Sequence, residues 1–208
     1  VYKRQGNGSA GASVGHGLGA VPQLIIEKAR TVTDDWLIYH QAMGNNKWIE
    51  FTTGTPQTGT SRWNDTSPTS TLFYLGNDSD VNYNGGTYVA YVFCDVTGFS
   101  KMGDYVGNAN TNGPFIYTGF KPAFVMIKNI NSGRSWRMYD TAREPQSEVA
   151  SVLYMDTNAA ETNTSHPVKM FSNGFKPHGT FQEINEANER MLYIAFAESP
   201  YQYTNGAL

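Results

Sequence analysis

With 208 residues and 13% aromatic side chains, the chain has enough to bury for one domain or two of about 100 residues, which excludes a disordered polypeptide. Charged residues make up 16% and the formal net charge is −3, so the basic footprint of a nucleic-acid binder is missing, and no apolar run approaches the roughly 20 residues of a membrane-spanning helix. The single cysteine, Cys94, excludes an intrachain disulfide and a cysteine-based zinc site, and its apolar setting in Tyr88-Val89-Ala90-Tyr91-Val92-Phe93 makes it a small buried hydrophobe.

In chain order, short runs rich in Val, Ile, Tyr, Phe, Trp and Thr predict strands at 13–16, 23–30, 36–41, 47–53, 71–75 and 87–96. A second set follows at 115–118, 123–130, 135–141, 151–156, 168–172 and 190–198. Gly, Asn, Asp and Pro clusters separate them. No stretch of 12 residues sustains a helical period, and 182–191, with only Ile184 and Ala187 apolar before its end, reads as a long hairpin loop. The expected fold is all-β without substantial helix: a β-sandwich built from two sequence-related repeats of about six strands each.

The repeat is the strongest signal. Pro22-Gln23-Leu24-Ile25-Ile26-Glu27-Lys28 lies over Pro122-Ala123-Phe124-Val125-Met126-Ile127-Lys128 at an offset of 100 residues, and at that offset Trp36 meets Trp136 and Tyr39 meets Tyr139. With small gaps, Gly6-Asn7 matches Gly107-Asn108, and Trp48-Ile49-Glu50-Phe51 matches Val152-Leu153-Tyr154-Met155. The expected division is 1–100 and 101–208, packed as one compact unit. Whether the copies close into one sandwich or two stays open. The strands around 23–30, 88–94, 123–130 and 191–197 are apolar on both faces and are expected at sheet centres. Arg137 marks its face as the wetter one, so Trp136 and Met138, and by repeat Trp36 and Ile38, are expected to point inward. Lys28 and Lys128 read as solvated strand ends.

The search for chemistry assigns no catalytic residue and no cofactor. His16, His40, His166 and His178 lack metal spacing, and no Gly-x-Ser-x-Gly motif occurs. Asp78 and Asp80 are weak candidates for calcium, but the loop lacks a closing glutamate, so no metal is expected. The loops are more suggestive. Trp63, Asn64 and Asp65 in one, and Tyr83 and Asn84 in another, combine aromatic faces with amide and carboxylate groups that suit a sugar. The alternative is that Trp63 and Tyr83 fold back as loop anchors.

Longer motifs carry a family resemblance. Gly6-Asn7-Gly8-Ser9, Val14-Gly15-His16-Gly17-Leu18-Gly19-Ala20-Val21-Pro22, Trp63-Asn64-Asp65-Thr66-Ser67-Pro68 and Gly113-Pro114-Phe115-Ile116-Tyr117-Thr118-Gly119-Phe120-Lys121-Pro122 are among them, with Ile194-Ala195-Phe196-Ala197-Glu198-Ser199-Pro200 at the end. Together they resemble a duplicated β domain recurrent in marine bacteriophage tail, tail-fibre and other virion proteins. The chain departs from that pattern with Val92 and Cys94 where Cys and Ala are expected, and at 182–190, where a Gly/Ser-rich hairpin is expected. The resemblance implies a structural and adhesive virion module, part of a tail fibre or appendage, that meets a host-surface glycan or protein. It implies other virion proteins as partners, homo-oligomers with trimers favoured, no nucleic acid, no membrane insertion and no enzyme activity. The rival readings are a purely structural decoration or tail component without its own receptor and, behind it, a glycan depolymerase, which needs two carboxylates facing each other across a groove. Because the chain starts at Val1, it is expected to be a fragment, a processed product or an incompletely observed chain.

Overall fold

Strands dominate because β-branched and aromatic residues alternate with polar ones between turn residues. A computed structural model of the chain describes residues 1–52, 54–144 and 148–199, and no side chain of 164–166. The Thr53 end of the expected fourth strand, the His166 side chain and Pro200 therefore lie outside the described residues. The chain divides into two units, Val1–Cys94 and the part from Asp95 onward. Among the described residues no helix is long and apolar enough to cross a membrane.

In the first unit, β1 (Tyr2–Gln5), β3 (Leu24–Ala29), β4 (Trp36–His40), β5 (Lys47–Glu50), β6 (Gln57–Thr58) and β8 (Thr87–Phe93) form one antiparallel sheet in the order β1-β8-β3-β4-β5-β6. A second sheet pairs β2 (Ala12–Gly15) with β7 (Leu72–Leu75). Ile25, Leu37, Tyr39 and Ala90 from the large sheet meet Phe73 and Leu75 from the small one in a single apolar cluster, which makes the unit a β-sandwich.

The second unit has one eight-stranded antiparallel sheet. Its members are β9 (Ser100–Val106), β10 (Ile116–Tyr117), β11 (Pro122–Asn129), β12 (Arg137–Asp140), β13 (Glu148–Tyr154), β14 (Thr162–Phe171), β15 (Gly174–Pro177) and β16 (Arg190–Ala197). The order is β10-β15-β14-β13-β12-β11-β16-β9. Near opposite ends of that order, Tyr105 of β9 and Phe175 of β15 still lie ring to ring, 6.2 Å apart. The sheet therefore curls until its ends share one core, close to a barrel. A register shift between Val149 and Ser151 interrupts the pairing of β13 with β14.

The run β1-β8-β3-β4-β5 and the run β9-β16-β11-β12-β13 have the same order of neighbours. Two lysines aligned at the offset of 100 residues make like bonds. Lys28 and Lys128 each donate from Nζ to the backbone carbonyl six residues on, of Asp34 and Arg134. They tie down the β3–β4 and β11–β12 turns, so the expectation of solvated strand ends is corrected. Lys128 is fully buried, and burial lowers its pKa to about 8.

Two single-turn helices, α1 (Ser79–Asn82) and α2 (Gln182–Asn185), each end on a buried asparagine. Asn82 Oδ1 accepts from the Asn7 N–H at 3.0 Å, and its Nδ2 donates to the Ser9 and Gly76 carbonyls at 2.9 and 3.1 Å. Asn185 Oδ1 accepts from the Asn108 N–H at 2.9 Å, and its Nδ2 donates to the Asn110 and Gly179 carbonyls at 2.9 and 2.8 Å. Each amide thus stands in for a strand edge and holds an irregular loop. Gly6 and Gly107 precede these loops. A Cβ would lie 2.2 Å from the Tyr83 carbonyl oxygen at the first and 2.1 Å from that of Glu186 at the second, which only glycine permits. The segment expected as a hairpin loop at 182–191 is therefore a helical turn and a tight corner.

The face assignment of the third expected strand holds only in part: Ile38 and Trp136 are buried as expected, whereas Met138 is half-buried and Trp36 is exposed. Leu37, Tyr39 and Tyr139 lie in the core clusters, and Trp36 is 37% exposed. Arg137 misled because it is buried. Its guanidinium pairs with Glu183 and stacks on the rings of Phe181 and Tyr154, at 4.3 and 5.3 Å. Ile38 and Trp136 are buried on the face opposite these core residues.

Glu27, mid-strand in β3, is fully buried and pairs with Arg4, which also lies 4.3 Å over the Tyr88 ring. Burial outweighs the attraction of Arg4 and raises the Glu27 pKa from 4.5 to about 7. A raised folded-state pKa means that the folded state holds the proton more tightly. Its contribution is fully present below pH 4.5 and is lost as pH rises through about 7. Glu27→Gln should therefore gain about 3 kcal/mol relative to the natural chain across that window. Denaturation curves at several pH values check this, and parallel profiles for the two proteins would contradict it.

Candidate functional site

The five loop residues singled out by sequence meet different fates. Trp63 is 2% exposed and lies edge-on to the Tyr39 ring, with centroids 5.8 Å apart, inside the first core. It is an anchor and offers no face to a ligand, so its placement as a surface contact is corrected. The turn after it bends through Asn64 and Asp65 at φ 53° and 45°, a left-handed pair that these two residues tolerate best after glycine. Asn64 Nδ2 donates to Thr66 Oγ1 at 3.1 Å, which closes the turn, and Asp65 is exposed. Tyr83 is 56% exposed and Asn84 is exposed beside it, after α1. The Tyr83 N–H donates to Tyr88 Oη at 2.7 Å, so its backbone is fixed while its ring faces solvent.

Asp78 and Asp80 both pair with Arg62, and Asp78 also caps α1 by accepting from the Asp80 N–H. Their oxygens hold the loop that carries Trp63. Burial, with a hydrogen bond to Asp34, raises the Asp80 pKa to about 7. Among the described residues no group of three His, Cys, Asp or Glu side chains could hold a metal ion. His16 is buried, with Nε2 3.0 Å from the Thr69 carbonyl oxygen. Cys94 is a buried free thiol.

Sequence reading missed the concave surface of the second unit. The starts of β9 and β11 and the end of β16 meet at one end of the sheet, because Phe196 pairs with Ser100 and Pro122 with Ala197. The segment that leads from β10 into β11 runs past this end. One cleft of about 260 Å³ is lined by Asp95, Val96, Ser100, Lys101, Tyr117 and Thr118. A second, of about 180 Å³, is lined by Phe120, Lys121, Ser172, Ala197, Glu198 and Ser199. Each contains one ammonium–carboxylate pair, Lys101 with Asp95 and Lys121 with Glu198, the latter at 2.9 Å. Asp95 is fixed by the Met102 N–H, which it accepts at 2.9 Å. Tyr117 is 65% exposed. Its hydroxyl would lie 3.6 Å from a Cβ placed on Gly119, so the ring lies beside the glycine in the wall of the first cleft.

The sequence model of a family described as a domain of unknown function, DUF7483, matches residues 1–200. The chain belongs to the DUF7483 family. The match spans both units, so the DUF7483 domain comprises the sandwich and the curled sheet together. Comparison with curated proteins and with solved structures finds no match.

Proposed function

We propose that this DUF7483 domain is a structural and adhesive module of a phage virion, part of a tail fibre or appendage that contacts the host surface. The resemblance of the sequence motifs to those of virion proteins motivates the class. The observation that carries the adhesive half is the edge strand β10 and its flanks. Phe115 and Tyr117 face outward there, at 47% and 65% exposure, while Ile116 between them fills the core. Large rings held outward on a strand, beside paired charges, suit recognition of a surface. The same reading makes the two units products of one duplication, supported by the matched Lys28 and Lys128 ties and the matched Asn82 and Asn185 brackets. Assembly into homotrimers within the fibre is part of the proposal.

Adsorption competition tests it. Purified chain added in excess to host cells is expected to slow attachment of a phage that encodes it. Unchanged attachment, with the chain folded, would favour a virion component without a receptor of its own.

A further inference from the structure

We propose that the two clefts at the end of the curled sheet form one binding site for a neutral hexose oligosaccharide, with one sugar ring in each cleft. The inference rests on the adhesive reading above and names its ligand class. At about 260 and 180 Å³, each cleft falls below the roughly 300 Å³ at which pockets for whole small molecules begin. Each therefore suits one ring of a longer chain, and both are open to solvent at a surface where such a chain can run on.

Tyr117, Thr118 and Gly119 line the first cleft and Phe120 and Lys121 the second, so one five-residue segment forms a wall of both. Its path is fixed. Thr118 Oγ1 donates to the Phe120 carbonyl at 2.6 Å, the Glu198 N–H donates to the Lys121 carbonyl at 2.9 Å, and Gly119 takes the left-handed φ of +84° that the bend needs.

Neighbouring hydroxyls on a hexose present one O–H donor and one oxygen acceptor a short distance apart. A paired carboxylate and ammonium answer with an acceptor and a donor, and each cleft holds one such pair. The pairs are neutral as units, which favours neutral sugars over polyanions. The C–H face of a hexose packs on an aromatic ring, and Tyr117 supplies an exposed ring in the wall of the first cleft. Phe115, which immediately precedes the edge strand, is also exposed; it is braced edge-on by Phe171 at 5.7 Å and adds a second outward ring.

The test is an NMR titration of the isotope-labelled full chain with cellohexaose, chitohexaose and maltohexaose. At least one hexamer is expected to shift the amides of 95–101 and 117–121, with a dissociation constant of about 1 mM or tighter. Tyr117→Ala should weaken binding about tenfold or more, and Lys101→Ala and Lys121→Ala several-fold each, with the remaining amide spectrum unchanged. Tyr83→Ala, which removes an exposed ring of the first unit, should bind as the natural chain does. The proposal falls if no hexamer shifts those amides at about 10 mM, if the shifts map to Tyr83 instead, or if Tyr117→Ala binds unchanged. A chain that slows phage adsorption yet binds no hexamer sinks this site alone. Hexamer binding at the clefts by a chain that leaves adsorption unchanged keeps the site and sinks the adhesive reading.

Discussion

Asn185→Ala is expected to destabilise the second unit by about 3–5 kcal/mol. The asparagine is fully buried, and alanine would leave the Asn108 N–H and the Asn110 and Gly179 carbonyls without their partner. Each such orphan costs about 1–3 kcal/mol when water cannot reach it. Asn108 and Asn110 are themselves exposed, so some water enters and the sum is not fully realised. Asn185→Asp separates the two halves of the bracket. It keeps an oxygen for the Asn108 N–H but turns a second oxygen toward two carbonyls, so it should lose nearly as much as alanine above the carboxylate pKa and recover part of the loss in acid. Asn82→Ala should act alike in the first unit, where the same three kinds of bond are made. The readout is the denaturant midpoint at constant slope. A loss below about 1 kcal/mol would show that the loops hold without the amides.

Trp63→Ala has the other large expected effect, about 3–5 kcal/mol from an unfilled core. Trp63 closes the first unit's cluster against Tyr39, and the loop that carries it is pinned by Arg62 to Asp78 and Asp80. Trp63→Phe, which keeps a ring in the pocket, should recover a large part of the loss. Thermal or chemical denaturation decides. A surface platform would behave in the opposite way, since its removal would leave stability intact and cost only binding.

Four interior strands, β3, β8, β11 and β16, were legible because they are largely apolar on both faces, a pattern that the order of residues displays, although β8 and β16 lie next to an edge strand and not at a sheet centre. The edges were not. β1 reads Tyr-Lys-Arg-Gln and β9 reads Ser-Lys-Met-Gly-Asp-Tyr-Val, and in both the charged and small residues mask the alternation of burial. Arg137 was read as a wet residue because its type is usually exposed, whereas here aromatic rings and Glu183 cover it. Trp63 was ambiguous for the complementary reason: a tryptophan in a polar loop can face either way, and only tertiary contact decides. Asn82 and Asn185 carried a signal in the matched Gly6-Asn7 and Gly107-Asn108 pairs, but one more asparagine in a chain rich in them does not announce its burial. The clefts could not be read at all. They are assembled from 95–101, 117–121, Ser172 and 197–199 by the register of antiparallel strands, and no local motif encodes that register.

The proposed function puts this domain on a virion, facing its host. The most direct measurement is immunogold electron microscopy of gradient-purified particles from a phage that encodes the chain, with an antibody raised against the full chain and peptide mass spectrometry of the same fraction. Gold is expected on the tail fibres or another appendage, with peptides of the chain in the particle fraction. Unlabelled particles, with the chain recovered only from the soluble part of the lysate, would contradict it.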